Sequence, residues 1–116
     1  MKIFRKNQAQ RFQNGAHCVA FEYPTEDKDI NGAAIEISGR YPEKGRAVNR
    51  KCKELAFVIK GNGKVVIDGN EQLIEEGDLI SIEAGEKFFW MARCACSCLV
   101  RQLGTRNSMR WSNRML

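Results

Sequence analysis

From residue 17 to residue 91, apolar and polar positions alternate in short runs, and Gly, Asn, Asp or Pro breaks the runs about every 8–12 residues, as in all-β folds. His17 to Tyr23, HCVAFEY, reads as a strand, and Pro24 to Asn31 carries turn chemistry. In Ala33 to Ser38, Ala33, Ile35 and Ile37 face one way and Ala34, Glu36 and Ser38 the other, as in a half-buried strand. Gly39 to Lys53 reads as a long loop or irregular strand. Glu54 to Lys60, ELAFVIK, predicts a strongly apolar strand, Gly61-Asn62-Gly63 a tight turn, and Lys64 to Ile67 the returning strand. Further turns are predicted at Asp68-Gly69-Asn70, Glu76-Gly77-Asp78 and Glu83-Ala84-Gly85-Glu86. They separate strands at Glu71 to Ile74, Leu79 to Ile82 and Lys87 to Met91, and Ala95 to Leu103 reads as a last strand. No helical period and no internal repeat is present. Strands this short, with turns this dense, point to a sandwich or barrel.

The 116 residues suit one domain. Residues 1–16 are expected to form an N-terminal arm or edge strand, 17–103 the β-barrel domain, and 104–116 an irregular or disordered basic tail. The net charge of +5 changes the picture only when located. Residues 1–90 hold 14 Lys and Arg and all 14 Asp and Glu, whereas the last 26 hold five Arg and no acid. A body without excess charge argues against a nucleic-acid partner. No apolar run approaches the ~18 residues of a membrane span, the first residues lack the apolar stretch of a secretory signal, and five cysteines suit reduced thiols. A cytoplasmic protein is the expectation, with no membrane partner.

Two glycine-framed blocks carry a more specific signal. Glu54 is followed by six residues and Gly61; Gly77 is followed by five residues, Glu83-Ala84-Gly85, two residues and Phe88. Glycines and spacing resemble the two signature motifs of the cupin superfamily, and GRYPEKG with the later KEL is similar to a group of small single-domain cupins. The resemblance covers about residues 33–90. It implies an all-β, cupin-like jelly-roll β-barrel (a double-stranded β-helix), expected to pair into a homodimer. It also exposes substitutions. The histidines of the first motif fall at Ala47 and Asn49, or at Val48 and Arg50 in the alternative register; that of the second is Phe88, and its proline is Glu83.

The family's usual metal centre is three histidines and a glutamate, and only Glu54 of that set remains. The resemblance thus implies a barrel with no metal site and no cofactor. Glu54 becomes the candidate acid/base or ligand-binding group; the alternative is a structural carboxylate paired with Lys51, Lys53 or an Arg. Cys52 shares a strand face with Glu54 and reads as a packed thiol, since Lys51 and Lys53 should face away. Asn49 can join them if its loop bends. Phe88 and Trp90 share one face and, with Phe57, are candidate ligand contacts. They form either an aromatic wall or the filling of a small barrel. Arg40 or Arg46 could hold an anion if Gly39 to Gly45 is a lid rather than a connector.

Cys94, Cys96 and Cys98 are expected to fill one strand face. At two-residue spacing, about 6.6–6.8 Å between Cα atoms, a regular strand cannot bring all three to one zinc. Soft Cu(I) or oxidation remains open if the segment is exposed. Three functions compete: a barrel binding a small, possibly sugar-like molecule without metal; an enzyme, using either metal-free acid/base (isomerase-type) chemistry at Glu54 or an atypical metal site of Glu54, His17 and Cys52; and a dimerisation module with a filled barrel.

Overall fold

The computed structural model describes residues 1–102. A 3-10 turn at Lys6–Gln8 precedes eight strands: β1 Gln10–Gln13, β2 Cys18–Glu22, β3 Ile30–Tyr41, β4 Ala47–Val48, β5 Cys52–Ile67, β6 Asn70–Glu75, β7 Leu79–Ile82 and β8 Lys87–Gln102. All pairings are antiparallel, in the order β1-β2-β3-β8-β5-β6, with β4 on β8 and β7 on β5. This is the all-β, cupin-like barrel expected from the glycine-framed blocks.

Two 16-residue strands, β5 and β8, organise the barrel. Sixteen extended residues would reach about 50 Å, yet the longest molecular axis is 37 Å, so both strands must bend. β5 bends at a bulge: Val58 faces Cys96 and Lys60 faces Ala95, leaving Ile59 as the extra residue. Before the bulge the even residues Cys52, Glu54, Ala56 and Val58 are buried. Beyond it burial moves to the odd residue Val65. The first half of β5 pairs with β7 and the end of β8, the second half with β6 and the start of β8.

This corrects the reading of Gly61-Asn62-Gly63 as a tight turn with Lys64 to Ile67 returning. The chain runs straight on as β5, and the two glycines lie where its backbone presses on β8. A Cβ at Gly61 would stand 2.1 Å from the Arg93 carbonyl oxygen, and one at Gly63 2.4 Å from Ala92 Cα. Lys87 to Met91 and Ala95 to Leu103 likewise merge into one strand, β8. Part of Gly39 to Lys53 is ordered as the end of β3 and as β4. The Asp68-Gly69 turn stands as expected: both residues have positive φ, Ile67 pairs with Asn70, and the Asp68 N–H donates to the Lys87 carbonyl. The turns at Gly77 and Gly85 also stand. Around the first, Gly77 N–H donates to Val58 O and Val58 N–H to Asp78 O, tying the end of β6 to the bulge.

The inner faces form one apolar cluster, running from Cys18 and Ala20 on β2 through Ile35 and Ile37 on β3 to Phe88, Trp90 and Val100 on β8. Gln10–Gln13 pairs with β2 as an edge strand. The expected tail, 104–116, lies outside the described residues.

Candidate functional site

The first half of β5 delivers Cys52 and Glu54 to the barrel interior by simple alternation, and Glu54 is only 1% exposed. Its neighbours across the sheet are Ile82 on β7 and Val100 on β8, both buried. Both neighbours are apolar, and a buried charge is costly unless compensated. Neither lysine beside it in sequence shares its face. Lys51 and Lys53 are exposed, and Lys53 pairs with Glu83 at 3.2 Å.

Asn49 is held by the second motif. Gly85 N–H donates to the Asn49 carbonyl at 2.8 Å, in the turn that leads from Ile82, Glu54's neighbour, to Phe88. The Asn49 side chain is 2% exposed. Its Oδ1 accepts from Lys51 N–H at 3.2 Å, while its Nδ2 has no hydrogen-bond partner among the described residues. A buried donor left unmade costs about 1–3 kcal/mol, so such an atom calls for an explanation.

Phe88 and Trp90 are on the interior, as expected, and buried. Phe88 packs between Ala47 and Ile67 in register, Trp90 between Tyr41 and Val65. Phe57 is not with them. It lies three residues from Glu54, an odd step in an unbroken stretch of strand, and so occupies the outer face with Leu55 and Ile59. Its inclusion with the interior contacts is corrected. His17 is also outside: it precedes β2, is exposed, and lies against Gly39, where a Cβ would come within 2.8 Å of its ring. The structure thus separates His17 from the buried pair Cys52 and Glu54. Among the described residues no group of three or more His, Cys, Asp or Glu is arranged to hold a metal ion, and Phe88 brings no donor atom to the position of the second motif's histidine.

Arg40 is committed elsewhere. Its guanidinium donates to Pro42 O at 2.7 Å and Gly45 O at 2.9 Å and stacks 4.1 Å from the Phe89 ring, pinning the 42–46 loop. Glu43 accepts a bond from Ala16 N–H and fastens the same loop to the β1–β2 connection. The segment is a tied connector, with Arg40 holding backbone carbonyls rather than an anion.

All five cysteines are buried, and none forms a disulfide. Cys94 and Cys96 sulfurs approach to 3.6 Å, closer than their Cα spacing suggests, because side chains on one face can lean together. That contact pulls the Cys94 thiol below its ordinary range and pushes Cys96 above it; burial raises Cys98.

Two interior polar residues escaped the sequence reading. Asn31 and Glu54 flank Val100 on the same face, two strand spacings or about 10 Å apart. Asn31 Oδ1 accepts from the Thr25 hydroxyl at 3.2 Å. Glu22 ends β2 on the inner face, one row along, opposite Ala33. The alternation through Ile37, Ile35 and Ala33 reaches Asn31 if carried back two residues, and Cys18, Ala20 and Glu22 alternate in the same way. By that alternation every strand Lys and Arg among the described residues points outward. Among the described residues, the polar side chains at this end of the barrel's inner face are therefore acids and amides.

No protein-family model matches the chain, and no curated protein matches it by sequence. Solved structures do. Streptomyces Pac13 with uridine is similar over 90% of this chain and 84% of that one, with TM-score 0.81 and 11% identity; Pac13 is described as a nucleoside dehydratase. KdgF from Halomonas sp. is similar over 90% and 96% (TM-score 0.73, 11% identity), and ectoine synthase from P. lautus over 90% and 80% (TM-score 0.71, 13% identity). These are cupin-fold proteins, and this chain has the cupin fold. At such identities the likeness establishes the fold alone.

Proposed function

We propose that the protein binds a small hydrogen-bonding molecule inside the Glu54 end of the barrel, without a metal ion. The observation that carries this reading is Asn49: a carboxamide 2% exposed whose Nδ2 has no partner among the described residues. A ligand acceptor atom would satisfy it. Among the described residues the inner strand faces also carry Asn31, Glu22 and Glu54, while the strand Lys and Arg face outward. The ligand we favour is therefore uncharged and both donates and accepts hydrogen bonds. A hydroxylated sugar or a nucleobase, with donors and carbonyl acceptors side by side, meets both demands. The likeness to a uridine-bound structure supports putting a nucleoside among the first molecules to try.

Acid/base chemistry is the second reading, favoured by the burial of Glu54, 1% exposed and beside Ile82 and Val100 in register, since burial is one way a carboxyl group is tuned for proton transfer. In that case Glu54 would move a proton to or from the bound molecule while Asn49 orients it. Five buried cysteines outside any disulfide support a reducing compartment, in keeping with a cytoplasmic location. No helix among the described residues is long and apolar enough to cross a membrane.

Titration calorimetry with uridine, a panel of neutral sugars and oxalate tests the proposal. Saturable binding of a neutral ligand, weakened ~10-fold or more in Asn49→Ala and Glu54→Gln of unchanged circular dichroism, is expected. Preference for oxalate, or affinity unaltered by both substitutions, would refute it. Stoichiometric transition metal in protein purified without a histidine tag would refute the metal-free part.

A further inference from the structure

Where β1, β2, β3, β8 and the bulge of β5 meet, the outer face of the sheet carries a cleft of about 560 Å³, within the size range of small-molecule sites. Besides the exposed His17, its charged lining is three cations, Arg11, Lys60 and Arg93, against one carboxylate, Glu36. Strand registers place these groups. Ser38 lies directly opposite Arg93; Glu36 lies opposite Ala95, and Ala95 opposite Lys60. Arg93 is therefore the diagonal neighbour of both Lys60 and Glu36, at about 7–8 Å. Among the described residues none of Lys60, Arg93 and Glu36 is held in an ion pair. The wall beyond Glu36 is apolar: Val19, its partner on β2, and Phe21 are half-buried. Ile37 and Cys94 belong both to this cleft and to the interior cluster, so one layer of sheet separates the cleft from the barrel interior.

We infer that this cleft binds a small phosphorylated amine, at a site separate from the barrel interior. Lys60 and Arg93 can close on one phosphate from two sides, with the Ser38 hydroxyl as a third donor, and bonds from ammonium and guanidinium to phosphate oxygens are the strong, charge-assisted kind. Glu36 sets the class further. A carboxylate with no cation held to it repels a simple anion bound next to it, but attracts an ammonium group carried one diagonal step from the phosphate. A two-carbon linker between phosphate and amine matches that step. Glu36 and Lys60 stand two strand spacings, about 10 Å, apart, so an α-amino acid, with ammonium and carboxylate on one carbon, is a poorer match. Val19 and Phe21 are recessed and offer no protruding apolar anchor to a bilayer, so the occupant is the free molecule rather than a lipid headgroup. The site stands or falls independently of the ligand proposed for the interior.

Amide NMR titrations of the full chain with phosphoethanolamine and with inorganic phosphate, at low ionic strength, test this. Saturable shifts are expected at Glu36, Ser38, Lys60, Arg93 and Ala95. Arg93→Gln and Lys60→Gln should each weaken both probes ~5-fold or more. Glu36→Gln should act in opposite directions, weakening phosphoethanolamine ~5-fold while tightening inorganic phosphate ~2-fold. Lys53→Gln removes the same charge from the same outer face, outside the cleft, and should change neither. All four side chains are exposed, so the variants should keep the fold. Absence of saturable shifts, equal weakening by Lys53→Gln, or a Glu36→Gln that moves both probes in the same direction would overturn the inference. So would shifts confined to the interior around Glu54, or retention on phosphatidylethanolamine vesicles in place of binding to the free probe.

Discussion

Replacing Gly61 by alanine tests whether β5 truly runs through the bulge. Gly61 has φ +94, a region that costs an L-residue about 1–2 kcal/mol. The added Cβ would lie 2.1 Å from the Arg93 carbonyl oxygen and 2.8 Å from Cys94 Cα. Both are backbone atoms of β8, fixed by the β5–β8 ladder, so relief requires separating the strands by about 1 Å. That weakens one or two ladder hydrogen bonds at about 1 kcal/mol each and adds an overpacking cost of about 1–3 kcal/mol. The total is on the order of 3–7 kcal/mol, a large part of the 5–15 kcal/mol available to a domain. Gly69→Ala is the control. Its φ of +83 is equally unfavourable, but nothing lies within 4 Å of the added Cβ, so only about 1–2 kcal/mol should be lost. Urea titrations of both variants give the comparison. If Gly61 were in an open hairpin turn the two would lose similar stability; a Gly61→Ala no worse than Gly69→Ala would refute the bulge reasoning.

Two further perturbations follow from particular contacts. Asp68 holds Lys87 N–H through Oδ1 at 2.9 Å while sitting at φ +47. Asp68→Ala should cost about 1–2 kcal/mol in a urea titration and Asp68→Asn less than half of that, since asparagine keeps both the acceptor and the tolerance of positive φ; equal losses would discount the hydrogen bond. Burial raises the Cys98 thiol above its ordinary value of 9.0. Its contribution to stability is then complete below about pH 9 and lost as pH rises beyond, because the unfolded thiol releases its proton first. The slope is at most about 1.4 kcal/mol per pH unit. Unfolding midpoints at pH 8, 9 and 10 should fall less steeply in Cys98→Ala than in wild type, and parallel slopes would contradict the assignment.

Much of the barrel was legible residue by residue. The Asp68-Gly69, Gly77 and Gly85 turns need positive φ with open space around them, and local composition announces that. The interior places of Cys52, Glu54, Phe88 and Trp90 follow from alternation counted within one short stretch. Phe57 was misplaced because chemical type was weighed above parity: an aromatic three residues from Glu54 must face away from it. Asn31 was missed because its strand was started at Ala33, past the turn-like Asn-Gly step; Glu22 already lay inside the strand read over His17 to Tyr23, but its parity with Cys18 and Ala20 was not counted.

Gly61 and Gly63 show the limit of local reading. A Gly-Asn-Gly sequence is chemically a turn, yet here the glycines serve close backbone contact, since 16-residue strands can wrap a barrel only by bending where no side chain intervenes. By itself the sequence determined an all-β chain with cupin-like glycine spacing, one glutamate retained and the histidines replaced, because periodicity and turn chemistry are written in neighbouring residues. Only the tertiary structure decided that Asn49 is buried beside the second motif, that His17 is excluded from the interior, and that Glu36, Lys60 and Arg93 line one outer cleft. Each depends on which strands meet and in what register, and those pairings join residues far apart in the chain.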